Sequence, residues 1–301
     1  MKQIKIYKGN LFTNIMSNTH VVSVPKKVIT FDLDETLGSF QDMYLLWNYI
    51  YKNLPVNELN TYTEYEVFCH IMDIFPEFLR YGIINILGYL YHKKISGECS
   101  QIYLYTNNQC FGEDNSKWIS LIVQYFNGKV QTNPSILLFD QIICAFKINN
   151  QVIEHLRTTQ NKTYNDLIRC TLLPKTVEIC FVDNTYHKKM LNDRVYYIQP
   201  KSYEHNLSID EIVNRFERQW KFTKLPKMFS PNLYNYFLSI PRKHTNESSS
   251  IDLIVSKKIM YHLKEFFLLT TRTKTQKTKK ISLGLGRFTK KKRTHSTESN
   301  L

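Results

Sequence analysis

The sequence lacks the cysteine and histidine spacing that marks a metal-stabilised domain. Its six cysteines include no C-x-x-C pair, and its nine histidines show no zinc-finger spacing. A zinc-ribbon or zinc-finger fold is therefore not predicted. We expect reduced, mostly buried thiols in a cytosolic or nuclear protein.

Long hydrophobic runs are also missing. No apolar segment follows the first lysines, which argues against a secretory signal peptide. The longest apolar stretch, residues 83–91, contains Asn85 and Gly88 and is too short to span a bilayer. We expect a cytoplasmic or nuclear protein that is not secreted and has no membrane partner.

The chain contains enough apolar side chains for a sizeable core. Hydrophobic residues make up 43% of its 301 positions, and aromatic residues make up 14%. Disordered proteins are poor in both, so we expect one large domain, or a core domain with appendages. No internal repeat is visible, and a solenoid or propeller is not predicted.

Positive charge is concentrated at the C-terminal end. The net charge is +14, and residues 272–301 hold ten Lys and Arg residues but only one acidic residue. Such a composition predicts a disordered tail over 271–301. Its cluster at 290–293 suits a nuclear import signal, a nucleic-acid contact, or a solvated tail that aids solubility, and the sequence leaves these three open.

Short apolar runs alternate with helical patterns along most of the chain. The predicted strands cover 27–31, 102–105, 177–182 and 195–198, and the predicted helices cover 40–54, 62–75, 76–94, 116–126, 164–170, 208–222 and 250–269. Residues 136–146 are also strand-like, and prolines predict a loop over 224–249. This alternation predicts an α/β fold with a Rossmann-like, parallel sheet.

The same pattern predicts the domain organisation. We expect a leader at 1–23, a core at 24–200 with 39–75 inserted as a helical cap, a helical extension at 201–270, and the basic tail at 271–301.

Three predicted strands end in residues with carboxylate, hydroxyl or amide groups, namely Asp32 and Asp34, Thr106 and Asn107, and Asp183 and Asn184. Open α/β sheets bind ligands beyond the carboxyl ends of their strands, so we expect one shared site. Two carboxylates after a buried strand repel each other unless a cation or a shared proton relieves them. The sequence therefore predicts a divalent-metal site or an acid/base pair, although Asp-x-Asp alone also suits a helix cap or a turn.

These residues resemble the motifs of the haloacid-dehalogenase superfamily of phosphotransferases. The run Asp-Leu-Asp-Glu-Thr at 32–36 resembles its D-x-D-x-T first motif. Thr106 matches the second motif, and Asp183 matches the acidic fourth. The resemblance covers about residues 25–200.

The third motif of that superfamily is a lysine between the second and the fourth. Lys162 is preferred, because it opens a helix one strand before Asp183. Lys147 and Lys175 lie in the same interval and stay open as alternatives.

The wording of the motifs is most similar to phosphatases of the RNA polymerase II C-terminal domain. The similarity rests on Asp-Leu-Asp-Glu-Thr-Leu at 32–37 and Val-Asp-Asn at 182–184. The sequence around Lys162 and Asp183 also looks similar to relatives carried by large DNA viruses. The resemblance implies a Mg²⁺-dependent phosphomonoester hydrolase with a phosphorylated protein as substrate.

The resemblance implies a role for each motif residue. Asp32 would be the nucleophile that forms an aspartyl-phosphate, and Asp34 would be the general acid for the leaving oxygen. Thr106, Asn107 and Lys162 would bind the phosphoryl oxygens, and Lys162 would also compensate the charge on Asp32.

Magnesium would be held by Asp32, Asp34 and Asp183, with Asp34 using its backbone carbonyl. Asn184 would order a metal-bound water. The helical pattern at 39–75 departs from the polymerase-tail phosphatases, which usually have a short β-hairpin flap there, and Gly38 replaces a bulkier residue.

Two other functions stay open. The basic tail would suit a phosphatase of nucleic-acid ends. A non-catalytic binding module with the same fold is the second alternative, although all four motif positions are filled.

Overall fold

The computed structural model describes residues 3–13, 26–53, 62–108, 110, 117–222, 229–241 and 249–285. Its strands are β1 (Ile4–Lys8), β2 (Lys27–Phe31), β3 (Gln101–Tyr105), β4 (Gln141–Ile143), β5 (Lys147–Ile148), β6 (Gln151–Val152), β7 (Glu178–Val182) and β8 (Val195–Pro200). Its α-helices are α1 (Asn10–Thr13), α2 (Gln41–Asn53), α3 (Glu64–Ile74), α4 (Ile83–Ile95), α5 (Trp118–Val130), α6 (Tyr164–Thr171), α7 (Ile209–Gln219), α8 (Phe229–Leu238) and α9 (Ser249–Leu285).

A mixed sheet of mostly parallel strands forms the centre of the fold. Its order is β1-β8-β7-β2-β3-β4, with β1 antiparallel to β8 and the other five strands parallel. Every residue of β2 and of β7 is buried, as expected for parallel strands covered on both faces. The predicted α/β class is confirmed, and the sheet fits a Rossmann-like fold except that β1 is antiparallel.

The sheet reverses its strand order beside β2. The chain passes from β2 to β3 and β4 on one side, and then returns to β7 on the other side of β2. Such a reversal opens a crevice at the carboxyl ends of the strands, where open α/β sheets bind ligands. Asp32 directly follows β2 and therefore lies at this crevice.

The leader segment contributes a strand to the sheet. Residues 4–8 pair with 196–200, so that Ile4 lies opposite Pro200 and Lys8 lies opposite Tyr196. Residues 4–8 of the predicted leader therefore form an edge strand of the sheet. Residues 14–25 lie outside the described residues.

The segment that the sequence predicts as a helical cap does form two helices. The first turn of α3 carries a capping box, in which Thr63 and Glu66 bond each other's backbone N–H groups. Buried side chains of both helices join the same apolar cluster as the strands β2 and β3: Met43, Leu46, Trp47, Phe68, Ile71, Ile29 and Leu104. These helices pack on the main core, and their role as a cap remains a prediction.

The single helix predicted over 76–94 is divided in two. Pro76 begins a 3₁₀ turn that ends at Phe78, and α4 starts only after Gly82, whose φ is +69°. Between them Leu79 forms a β-bridge with Gly38. This non-helical segment bonds to the loop after β2, because the Arg80 N–H donates to the Leu37 carbonyl and the Ser39 N–H donates to the Phe78 carbonyl.

The loop predicted over 224–249 contains the helix α8. Its proline, Pro231, lies in the first turn of the helix, where the missing N–H breaks no helical hydrogen bond. The strand-like region at 136–146 shortens to β4, and a hairpin of β5 and β6 follows it. Asn149 and Asn150 form the hairpin turn with φ of 48° and 65°, a conformation that asparagine tolerates.

The last described element is α9, which contacts β8 and α4. It buries Val255, Ile259, Leu263 and Phe266. The helix continues to Leu285, past residue 270, where the sequence predicts the disordered tail to begin. Residues 286–301 lie outside the described residues. No described helix is long and apolar enough to cross a membrane.

Candidate functional site

The polar ends of β2 and β7 lie side by side. Phe31 pairs with Val182, and the next residues on the two strands are Asp32 and Asp183. Lys162, just before α6, donates hydrogen bonds to a carboxylate oxygen of Asp32 and, at 2.7 Å, to Oδ2 of Asp183. The structure therefore brings together three charged residues from distant parts of the chain.

Lys162 is the lysine that meets both carboxylates. Its side chain is only 2% exposed, and that of Asp183 is fully buried. Thr163 accepts the N–H of Asp166 and caps α6, which fixes the chain direction next to the lysine. Lys147 and Lys175 are exposed. The choice of Lys162 agrees with this placement.

A threonine contacts the second oxygen of Asp32, and an asparagine contacts that threonine. The Thr36 hydroxyl lies 3.1 Å from Asp32 Oδ2 and 3.0 Å from Asn184 Oδ1, and its single proton can go to either oxygen. The same hydroxyl accepts the N–H of Asn184 at 3.0 Å. Both oxygens of Asp32 are thus fixed in orientation.

The loop after β2 is a tight turn whose carbonyl groups are bonded by a buried arginine. Glu35 has φ +55°, and its N–H donates to the Gly38 carbonyl at 2.7 Å. The buried Arg80 donates to the carbonyls of Glu35 at 2.5 Å and of Thr36 at 2.6 Å. A side chain at Gly38 would collide with the Phe78 carbonyl, so the loop requires glycine at this position.

The loop after β3 touches the loop after β2. Asn108 donates from Nδ2 to Oδ2 of Asp34. Thr106 is buried, and its hydroxyl accepts the N–H of Asn108 at 3.0 Å. Asn107 is exposed, and its Oδ1 accepts from Arg157 at 2.8 Å. Thr106 and Asn107 are thus in the loop that contacts Asp34.

Sequence reasoning missed Asn108 and Arg157. Asn108 lies next to a predicted residue, but nothing in the sequence distinguishes it from a turn asparagine. Arg157 lies in an irregular segment without periodicity, and only the folded chain shows that it is buried. His187 is a further neighbour of the site, with Nε2 3.3 Å from Asp183 Oδ2.

Burial and neighbouring charges shift the pKa of each charged residue at the site. Burial raises the pKa of Asp32 to about 7, with repulsion from Asp183 adding to the effect and Lys162 opposing it. Burial also raises the pKa of Asp34 to about 6. For Asp183, burial is outweighed by Lys162 and His187, which hold its pKa below the usual value. Lys162 has a raised pKa despite its burial, because both carboxylates favour the charged ammonium.

The predicted metal ligands have suitable chemistry. Within the described ranges, no three His, Cys, Asp or Glu side chains are arranged as a ready metal site. The oxygens of Asp32, Asp34 and Asp183 are nevertheless of the kind that Mg²⁺ prefers. Burial raises the pKa of Asp32 and of Asp34, and a bound cation would favour the charged form of both carboxyl groups. The residues therefore fit a divalent cation, and Mg²⁺ remains a proposal.

The expectation of reduced cysteines is wrong for two of the six. Cys110 and Cys144 form a disulfide, with their Cα atoms 5.7 Å apart. The bond joins the loop after β3 to the loop after β4, two residues from Asn108. The other four cysteines are free, as expected, and three of them are buried.

Comparisons with known protein families, with curated proteins and with solved structures find no match to this chain. Similarity therefore assigns it to no family. The function is proposed from the geometry of Asp32, Asp34, Lys162 and Asp183.

Proposed function

We propose that the protein is a Mg²⁺-dependent phosphomonoester hydrolase that acts through an aspartyl-phosphate, as the resemblance to the haloacid-dehalogenase phosphotransferases implies. The observation that supports this most is the buried contact of Lys162 with both Asp32 and Asp183. A carboxylate nucleophile and a phosphate dianion repel each other. Phosphoryl transfer therefore requires fixed positive charge around the reacting atoms, and the ammonium of Lys162 supplies part of it.

In the first step an oxygen of Asp32 attacks the phosphorus atom. The bond between phosphorus and the leaving oxygen breaks, and Asp34 donates a proton to that oxygen. In the second step Asp34 takes a proton from water, which attacks the phosphorus and releases phosphate and the Asp32 carboxylate. Proton transfer of this kind contributes about 10²- to 10⁴-fold.

The environment of Asp34 suits a general acid. Its pKa of about 6 keeps part of the carboxyl protonated near neutral pH. The amide of Asn108 holds one of its oxygens, which fixes the direction of the carboxyl group. Thr106 and Asn107, on the same loop, would bind the phosphoryl oxygens.

The proposed magnesium ligands are Asp32, Asp34 and Asp183. When bound, Mg²⁺ would neutralise charge on the phosphoryl oxygens and the carboxylates. Asp183 Oδ1 already accepts the N–H of Thr185 at 2.8 Å, and Oδ2 faces Lys162. A carboxylate oxygen has two lone pairs, so it can share these contacts with a cation.

The first test is hydrolysis of a small aryl phosphate with Mg²⁺ or with excess chelator. Wild type should turn over only with Mg²⁺, and Asp32→Asn should fall to background. Asp210→Asn is the matched control, because Asp210 is an exposed carboxylate on α7. Absent wild-type turnover would leave the non-catalytic binding module as the better account, and full turnover by Asp32→Asn would refute Asp32 as the nucleophile.

The substrate class needs a separate comparison. We propose a phosphorylated protein, from the resemblance to the polymerase-tail phosphatases. The alternative is a phosphatase of nucleic-acid ends, supported by the basic residues of 271–301. Deleting residues 286–301 should leave hydrolysis of phosphopeptides unchanged. A loss of activity on phosphorylated DNA or RNA ends, with a weaker salt dependence, would favour the alternative.

A further inference from the structure

Arg157 is a buried cation near the candidate site that the proposed chemistry does not use. It lies between β6 and α6 and is 2% exposed. Nη1 donates to the carbonyls of Thr106 at 3.0 Å and of Cys144 at 2.6 Å, and Nη2 donates to Asn107 Oδ1 at 2.8 Å and to the Gln160 carbonyl at 2.9 Å. One guanidinium therefore joins the loop after β3, the loop after β4, and the segment that leads to Lys162.

These contacts determine where the donors of Asn107 point. A guanidinium carries only donors, so the side-chain atom of Asn107 that faces it has to be the oxygen. The Nδ2 group then points away from Arg157. The Thr106 carbonyl is held as well, and because the peptide unit is planar and trans, the N–H of Asn107 points in the opposite direction.

Arg157 also fixes this loop relative to Lys162. The guanidinium lies 4.8 Å from the centre of the Tyr105 ring, and Nζ of Lys162 lies 5.7 Å from the same centre. The Tyr105 hydroxyl accepts the N–H of Thr163 at 3.3 Å. Arg157, which holds the loop after β3, and Lys162 thus both lie close to the ring of Tyr105.

We propose that Arg157 is a positioning residue that directs the Asn107 donors toward the phosphoryl group of the substrate, an inference that rests on the proposed phosphatase function. Arg157 acts through Asn107 and the Thr106 carbonyl and does not itself contact the substrate. Four bonds to three segments hold it there, and the single ammonium of a lysine cannot replace them.

A double-mutant cycle tests this role. We compare wild type, Arg157→Met, Asn107→Ala and the double variant for kcat and KM on an aryl phosphate with Mg²⁺. Arg157→Met should lower kcat/KM about 10- to 100-fold, the effect of a small misplacement of binding groups. The same change in the Asn107→Ala background should have a smaller effect, because the side-chain donor that Arg157 directs is already absent and only the backbone N–H of residue 107 can still be misplaced.

A matched control separates positioning from loss of charge. Arg169 lies on α6 with its side chain 48% exposed, and Arg169→Met should keep wild-type kinetics. Thermal unfolding of every variant is followed in parallel. Arg157→Lys keeps the charge but not the four hydrogen bonds, and we expect it to fold with a lowered kcat/KM.

The outcomes distinguish the positioning role of Arg157 from the proposed function. Wild-type kcat/KM in Arg157→Met, or independent effects of the two substitutions, would overturn the positioning role while the proposed function stands. If Arg157→Met does not fold, Arg157→Lys decides, and a fully active or an unfolded lysine variant also overturns it. An inactive wild type would instead refute the proposed function.

Discussion

Removing Lys162 should destabilise the protein strongly at alkaline pH. The ammonium is the shared partner of Asp32 and Asp183, and all three groups lie in the interior. Lys162→Met keeps much of the side-chain volume but leaves two buried carboxylates without their cation. Breaking a buried ion pair in this way costs about 3–5 kcal/mol.

The loss should depend on pH in a direction that the pKa values set. The pKa of Asp32 is raised to about 7 in the folded protein, above its unfolded value. The folded state therefore binds more protons, and this contribution to stability is lost as the pH rises toward 7. Without Lys162 the pKa of Asp183 should rise as well. The gap between wild type and Lys162→Met should thus be larger at pH 8 than at pH 5.

Urea denaturation at these two pH values measures the gap. Lys147→Met and Lys175→Met are matched controls, because both lysines are exposed and should change stability by less than about 0.5 kcal/mol. Adding Asp32→Asn to Lys162→Met should restore part of the loss, since one uncompensated charge is removed. A Lys162→Met variant as stable as Lys147→Met at pH 8, or a gap that does not shrink at pH 5, would refute the reasoning.

Three further results are expected. Mg²⁺ competes with the proton on Asp32, so it should raise the melting temperature more at pH 8 than at pH 5.5, and an equal rise in Asp32→Asn would count against this ligand. Cys110→Ser opens a disulfide loop with a sequence separation of 34 and should cost about 3–4 kcal/mol, and reductant should then lower the urea midpoint of wild type but not of the variant. Gly38→Ala should cost about 1–3 kcal/mol through its collision with the Phe78 carbonyl. Gly88→Ala, with open space around its Cβ, should be neutral or stabilising in the same urea titration.

The centre of the sheet could be predicted because its signals are local. β2 and β7 are continuous apolar runs followed by aspartates, and both strands lie where the sequence predicts them. Because open sheets bind ligands beyond the carboxyl ends of their strands, Asp32 and Asp183 are expected at one site, and Lys162 is expected beside them. Helix α7 was predictable in the same way, because Ser208 and Glu211 form a capping box at its start.

The features that sequence reasoning missed depend on distant partners. The sequence predicts the leader at 1–23, but not the pairing of β1 with β8, which lies almost at the other end of the described core. Arg157 is buried only in the folded chain, where it bonds to the loop after β3, the loop after β4 and the segment before Lys162. Cysteine spacing does not determine which thiols approach each other. Cys110 and Cys144 pair because β3 and β4, which precede them, are neighbours in the sheet.

The nucleophilic role of Asp32 is tested most directly by the mass of the enzyme during turnover. Asp34→Asn, incubated with Mg²⁺ and an aryl phosphate that has a good leaving group, should accumulate one phosphoryl group because the water step lacks its base. Peptide mass spectrometry after acid quench should place that group on Asp32. A phosphoryl group on another residue, or none while Asp34→Asn still hydrolyses an unactivated phosphomonoester at the wild-type rate, would contradict the account.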